Sequence, residues 1–594
     1  MTRISAYLPS MLCSCLVTIL LCAVLGGCAH GTHQGAMPPE AVEATPESDV
    51  AGQGAATARP IERPQPRLVV SVIFDQLGSE SLLTHLPYLD EDGALRMMAR
   101  EGAFFPKVRY PHASTLTAPG HALLFTGAPP ARSGIAGNNL RSGNGDSVTT
   151  SVEDGVHQVV GLPGAQAGPG LLLAPTVAEA LRANAAEGLE HRVVSVSLKD
   201  RASILSAGKA AGAVLWYEPK LEGMATSTFY GAALPAFATE FQAAHPLSAL
   251  YAQPWAVPDG EALLARLGPD DRVGEGDYDG YGTVFPHVAT DSKAPAKAMR
   301  MSPLLSEWLL SLAEAAVEAE GLGDDEVVDL LMISVSGTDY AGHVFGPRSW
   351  EYFDHLRRAD RALGKLLRTL AERTSLAVLV SSDHGSPVVP EFKGGPVRLR
   401  PDTLAKAVED ALDARFGADT WWVAGFTSPY LFLTPAARHY EDQPALREEI
   451  CRVLLAQRGV AHVVDPLIAQ QGRCPCALGK LPQDLRAAVT EALHPERSGD
   501  FYVVPDEGRV VDESYVQGAG TQHGTPWAYD RLVPVLVWGA GVAPGCHAQV
   551  AGTEQVAPTL SALLQTNPPA EASADPLPVF AAPAATDPAA CAAE

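Results

Sequence analysis

Asp339 and His343 stand four residues apart, Asp383 and His384 are adjacent, and a lone His523 sits in the small-residue stretch Thr521-Gln522-His523-Gly524-Thr525. This mixture of carboxylates and imidazoles suits zinc, with manganese or iron as substitutes. It suits calcium poorly, because calcium prefers all-oxygen sites. At i and i+4, Asp339 and His343 can face one ion from a single helical turn. Asp383 and His384 share no helix face, but a loop at a strand end can turn neighbours toward two centres. Thr117 opens Thr-Ala-Pro-Gly-His. Threonine with proline in the first turn is a good helix N-cap, and taken alone Thr117 is only that. The amide ends of the helix it opens favour an anionic oxygen. Ligands for two ions with a hydroxyl between them imply metal-assisted hydrolysis of a phosphate ester.

These residues need elements to position them, and the apolar pattern supplies them. Arg67 to Phe74 reads as a buried strand that stops at Asp75, and Arg192 to Leu198 as a strand followed by Lys199. Val327 to Val335 leads toward Asp339, and Leu376 to Val380 runs into Asp383. Val533 to Trp538 is a fifth strand; Gly93 to Arg100 and Val556 to Leu564 have helical patterns. Near-continuous Val/Ile/Leu strands separated by helices predict an α/β fold, a central mostly parallel sheet with helices on both faces. Polar residues just past the strand ends converge on one rim of such a sheet, where ligands bind.

Two stretches interrupt the alternation, residues 202–300 and 386–515, and both read as inserted cap regions above the sheet that select substrates. The catalytic domain is expected over residues 67–565. Residues 28–66 read as a flexible tether, and the Ala/Pro-rich residues 566–594 as a disordered tail.

The chain has 594 residues, 46% of them hydrophobic and 19% charged, the balance of a globular protein. A net charge of -25 argues against a nucleic-acid groove or a polybasic membrane surface. Residues 1–27 read as a signal peptide: Arg3 precedes an apolar run that ends at Leu25-Gly26-Gly27-Cys28. Small residues before that cysteine resemble a bacterial lipoprotein processing site. The expectation is an exported bacterial protein, periplasmic or anchored at the outer membrane, that touches membrane only through a lipid on Cys28. Cys451, Cys474, Cys476, Cys546 and Cys591 remain, and in an oxidising compartment one or two disulfides are expected, Cys451 pairing with Cys474 or Cys476.

The motifs together resemble the alkaline phosphatase superfamily, its threonine-nucleophile branch, and within it the phosphate-irrepressible alkaline phosphatases of bacteria. The resemblance runs from about Arg67 to about Leu564 and is carried in order by Phe74-Asp75, Thr115 to His121, Gly134 to Asn138 and Ser197 to Arg201. Asp339 to His343, Ser382 to Gly385, Gln522 to Gly524 and Ala557 to Leu560 follow. It implies one zinc ion held by Asp339, His343 and His523, and a second held by Asp75, Asp383 and His384, with the Thr117 oxygen completing it. It also implies that Asn138, Lys199 and Arg201 contact the non-bridging phosphate oxygens. One position departs from the pattern: Ser133 stands where relatives often have histidine, which bears on how the Asn138 loop is supported.

The implied reaction is hydrolysis of phosphate monoesters through a phosphothreonine on Thr117. Lys199 and Arg201, two apart on an extended segment, would point to one side and match the two charges and three free oxygens of a monoester. The alternatives are a phosphodiesterase or nucleotide pyrophosphatase on the same fold, and a non-catalytic phosphate-binding lipoprotein.

Overall fold

All residues of Leu68–Phe74 (β1) are buried, and strand alternation divides them between two cores. Leu68, Val70, Val72 and Phe74 join one core with side chains of the helices Ala94–Glu101, Pro303–Glu320 and Trp350–Arg373. Val69 and Ile73 join the other with those of Thr117–Thr126 (α1) and Val556–Leu563. A strand buried on both faces needs helices on both faces, and this computed structural model has them. It describes residues 64–142, 147–210, 212–393, 398–467, 476–513, 515–582 and 591. The expected signal peptide, Cys28 and the tether lie outside the described residues, apart from residues 64–66.

The remaining strands of the central sheet are Ala103–Arg109 (β2), Val193–Ser197 (β3), Ala213–Glu218 (β4), Gly223–Ala225 (β5), Asp329–Val335 (β6), Leu376–Ser381 (β7) and Leu532–Gly539 (β8). Their order is β2-β8-β7-β1-β6-β3-β4-β5, with the short strands Gly545–Cys546 and Ala551–Gly552 both on β2. From β7 to β4 all neighbours are parallel. β8 runs antiparallel to β7 and β2, and β5 antiparallel to β4. This is the α/β architecture expected from the apolar pattern.

The inserted regions are more built-in than the sequence suggests. The stretch 202–300 begins inside the central sheet, because Asp200–Ala207 (α2), β4 and β5 belong to it. Only its later part, from the helix Ala236–Ala244 onward, departs from the sheet. The stretch 386–515 forms a second antiparallel sheet, ordered Val423–Thr427, Tyr430–Leu433, Phe501–Pro505, Val460–Val464. The helices Pro401–Phe416 and Gln443–Leu455 give that sheet its own core around Leu404, Leu412, Ile450 and Leu454. Cys451, bonded to Cys476, lies within that core.

The folded part also runs past residue 565, against the expectation of a disordered tail. Leu577 and Val579 are buried in the second core, Leu577 N donates to Thr559 Oγ1 at 2.9 Å, and Cys591 is bonded to Cys546. Two large apolar side chains and a disulfide outweigh the Ala/Pro composition that suggested disorder. No helix among the described residues is long and apolar enough to cross a membrane.

Candidate active site and metal centre

β7, β1, β6 and β3 are neighbours whose C-terminal ends lie level: Phe74 pairs with Val335, Ile73 with Ser381, and Ser197 with Ser334. Asp75 follows β1, Asp383 follows β7 and Lys199 follows β3. β6 passes through Ser336 into Gly337–Phe345 (α3), which carries Asp339 and His343. Four polar strand ends therefore meet on one rim. His523 arrives from the loop between Gly520 and Gly524, both at positive φ.

Thr117 is the first helical residue of α1, with Leu116 in the extended cap position, so the expected N-cap role falls one residue earlier. Its hydroxyl makes no capping bond and faces Lys199, whose Nζ donates to Thr117 Oγ1 at 3.3 Å. Asn138 takes the capping work: its Oδ1 accepts from Ala118 N at 2.9 Å. Gly120 lets α1 approach the rim, since a Cβ there would run into the Asp383 carbonyl.

Lys199 Nζ is the hub. It donates to Asp339 Oδ2 at 2.6 Å and lies 2.6 Å from Asp75 Oδ2. Burial alone would lower its pKa, but Asp339 and Asp75 outweigh burial and raise it, so it stays protonated. Lys199 is the cap residue of α2 and Arg201 lies in its first turn, so the expected extended segment is a helix start. The Arg201 side chain is a quarter exposed, with Asp200 at 3.6 Å.

Asp339 Oδ1 lies 3.0 Å from His343 Nε2 and 3.4 Å from His523 Nε2. His384 Nε2 lies 3.4 Å from Asp75 Oδ1 and 3.5 Å from Asp383 Oδ2. The ligand atoms of Asp339, His343 and His523 fall within 4.8 Å of one another, and so do those of Asp75, Asp339 and His384. The first group is the one the resemblance implies. The second has Asp339 where the resemblance has Asp383, whose Oδ2 lies between His384 Nε2 at 3.5 Å and His121 Nδ1 at 3.3 Å.

These residues fit divalent cations. Asp75, Asp339 and Asp383 are fully buried carboxylates gathered around one lysine. Asp75 Oδ1, Asp383 Oδ2 and His384 Nε2 are buried without a hydrogen bond, which is costly unless a ligand satisfies them. Burial, then Asp339 and Asp383, raise the Asp75 pKa well above the carboxylate range. Burial pushes His384 down to about 3 and also lowers His523, so both rings stay neutral and can ligate. Each ring is aimed from behind by a backbone carbonyl at Nδ1: His343 by Thr521 at 3.0 Å, His523 by Thr115 at 2.8 Å, His384 by Gly385 at 3.1 Å. That leaves Nε2 of all three for the site.

Sequence reasoning missed two residues. Gln76, at φ 67°, donates from its backbone N to Asp383 Oδ1 at 3.2 Å and from Nε2 to Asp339 Oδ1 at 3.0 Å. It ties two strand-end acids together; only its place after Asp75 could have pointed to it. His121 meets the Thr117 carbonyl at 2.9 Å and Ser334 Oγ at 3.0 Å while facing Asp383. Gln76→Asn tolerates the left-handed backbone but is too short to reach Asp339. Metal affinity measured by competitive chelation should fall about tenfold or more; unchanged affinity would remove Gln76 from the support of the site.

The Asn138 loop, with Ser133 before it, is held by neighbouring contacts to its backbone. Ser114 Oγ donates to the Ala136 carbonyl at 2.6 Å, and Arg497 Nη1, from the second sheet's region, to that of Gly134 at 3.4 Å.

Residues 69–526 match the family described as type I phosphodiesterase / nucleotide pyrophosphatase. The chain is 30% identical over 516 residues to alkaline phosphatase PhoV of Synechococcus elongatus, covering 85% of this chain and 91% of that one. It is 28% identical to alkaline phosphatase PafA of Elizabethkingia meningoseptica, over 86% of this chain and 94% of that one. The crystal structure of wild-type PafA matches with a TM-score of 0.79 at 27% identity, over 86% of this chain and 98% of that one.

Proposed function

We propose, for a chain that belongs to the type I phosphodiesterase / nucleotide pyrophosphatase family within the alkaline phosphatase superfamily, that Thr117 takes the phosphoryl group of a phosphate monoester and yields it to water. The chain is an alkaline phosphatase, a metal-dependent phosphoric monoester hydrolase. The observation that carries the threonine reading is the Thr117 hydroxyl at a helix start, which accepts at 3.3 Å from a lysine held between two carboxylates.

Asp339, His343 and His523 would hold one zinc ion and Asp75, Asp383 and His384 with Thr117 Oγ1 another, manganese or iron substituting; when bound, such ions lower hydroxyl pKa values and neutralise charge on entering and leaving oxygens. The chain's own groups do the rest. A bond forms between Thr117 Oγ1 and phosphorus as the ester bond breaks, giving the alcohol and phosphothreonine; water then attacks phosphorus and frees Thr117. Lys199 keeps its proton, so it acts as a donor to a non-bridging oxygen and not as a base. With Asn138 Oδ1 engaged by Ala118, the Nδ2 side remains to donate to a second oxygen. Arg201, in the first turn of α2, would hold the third.

The same reading has the chain exported, cleaved after residue 27 and lipidated on Cys28, in the periplasm or at the outer membrane. Two disulfides support it, because such bonds persist in oxidising compartments.

The purified chain should hydrolyse p-nitrophenyl phosphate, lose on the order of 10³-fold in rate after chelation, and recover with zinc. Turnover indifferent to chelation would contradict metal assistance. Absent turnover with phosphate still bound would favour a phosphate-binding protein.

A further inference from the structure

The chain has 68 acidic and 43 basic residues, so a semi-buried arginine ought to find a carboxylate easily. Arg141 pairs with Asp500, Arg357 with Asp259 and Asp354, Arg358 with Glu307, and Arg398 with Glu391. Arg300, like Arg266, Arg497 and Arg531, has no such partner among the described residues, and what sets it apart is its place over the Tyr340 ring. Among the described residues no carboxylate lies within ion-pair distance of its guanidinium, and its hydrogen bonds go to neutral oxygens. Nε donates to the Lys297 carbonyl at 3.2 Å, and Nη1 to the Tyr340 hydroxyl at 3.3 Å. Partly removed from water, a cation without a counter-charge is costly unless an anion arrives.

Its position says which anion. Arg300 Cζ lies 4.3 Å from the centre of the Tyr340 ring and 5.5 Å from that of Tyr515. Lys199 Nζ, which reaches Thr117, lies 5.1 Å from the same Tyr340 ring. Arg300 is thus one tyrosine ring away from the lysine that meets the transferred phosphoryl group. Tyr340 adjoins Asp339 in sequence, and Tyr515 packs its ring 5.6 Å from that of His343. Tyr515 is 44% exposed, so this corner is open to solvent. Arg300 ends the segment that leaves the central sheet after β5, and Tyr515 follows the second sheet. Both converge on Tyr340.

We propose that Arg300, with Tyr340 and Tyr515, forms a leaving-group subsite for phosphate monoesters whose leaving group carries a second anionic group, a carboxylate or a second phosphate. This rests on the monoesterase reading and adds the substrate class to it. The tyrosine rings flank the body of the leaving group, and the guanidinium, anchored through Nε and Nη1, presents its remaining N–H groups to the anion. Lys199 and Arg201 serve the phosphoryl group itself.

The test compares matched substrates with the full chain and its Arg300→Ala and Arg300→Lys variants. One pair is 4-carboxyphenyl phosphate against 4-carbamoylphenyl phosphate; the other is 1,4-phenylene bisphosphate against 4-hydroxyphenyl phosphate. The readout is the ratio of kcat/KM within each pair, which cancels any general loss of activity or folded fraction. Arg300→Ala should lower that ratio about tenfold for at least one pair, chiefly through KM, and Arg300→Lys should restore part of it. Whichever pair responds identifies the anion. Ratios unchanged in both pairs overturn the subsite, including the case in which every rate falls equally because Arg300 merely braces Tyr340. No turnover of any of the four esters by the unaltered chain sinks the monoesterase reading, and the subsite with it.

Discussion

Thr117→Ala should lower turnover of p-nitrophenyl phosphate on the order of 10³-fold or more while leaving metal content and phosphate binding intact. The side chain is buried and opens α1, but it makes no capping bond, so its loss removes a nucleophile without removing a support. Asn138 still caps the helix at Ala118 N, and Leu116 still accepts the Gly120 amide at 2.9 Å. Thr117→Ser should recover most of the rate, because a hydroxyl returns at the same atom. Measuring both variants with bound metal quantified separates chemistry from assembly. Full activity in the alanine variant would mean that water attacks phosphorus directly.

Replacing Lys199 and Arg201 together by alanine should lower kcat/KM for monoesters on the order of 10²- to 10³-fold and leave a slow diesterase activity nearly as it was. The reason is charge. A monoester presents three non-bridging oxygens and two negative charges, and a diester presents two oxygens and one. Interactions with the third oxygen therefore count only for the monoester. The family to which the chain belongs includes phosphodiesterases, so the fold alone does not set this preference. The pair sits awkwardly for purely structural residues: cations at the start of a helix oppose its dipole by about 0.3–1 kcal/mol each. An anionic substrate at the same place reverses that sign. Comparing p-nitrophenyl phosphate with bis-p-nitrophenyl phosphate on the double variant gives the result; an equal loss on both substrates would refute the assignment.

Most of the site was legible because its residues terminate strands. Asp75, Asp339 and Asp383 each end or follow an apolar run, and parallel neighbours bring such ends to one rim whatever lies between. Histidines were harder: His523 has no periodic context, and only the family pattern linked it to Asp339. Gln76 carries no signal beyond its place after Asp75. Its role depends on a left-handed backbone and on two acids more than 260 residues away. The Lys199–Arg201 stretch reads as extended because the strand pattern before it gives no sign that a helix starts at Asp200; only Lys199 is extended. The end of the fold is hidden in the sequence for a related reason. Leu577 and Val579 are isolated apolar residues in an Ala/Pro-rich stretch, and their burial is decided by the groove they fill.

The stereochemical course at phosphorus tests the threonine route most directly. A monoester made chiral at phosphorus with oxygen isotopes, transferred by the enzyme to an alcohol acceptor, should emerge with its configuration retained, since two in-line displacements each invert it. Inversion would mean a single displacement by the acceptor, with no phosphothreonine between.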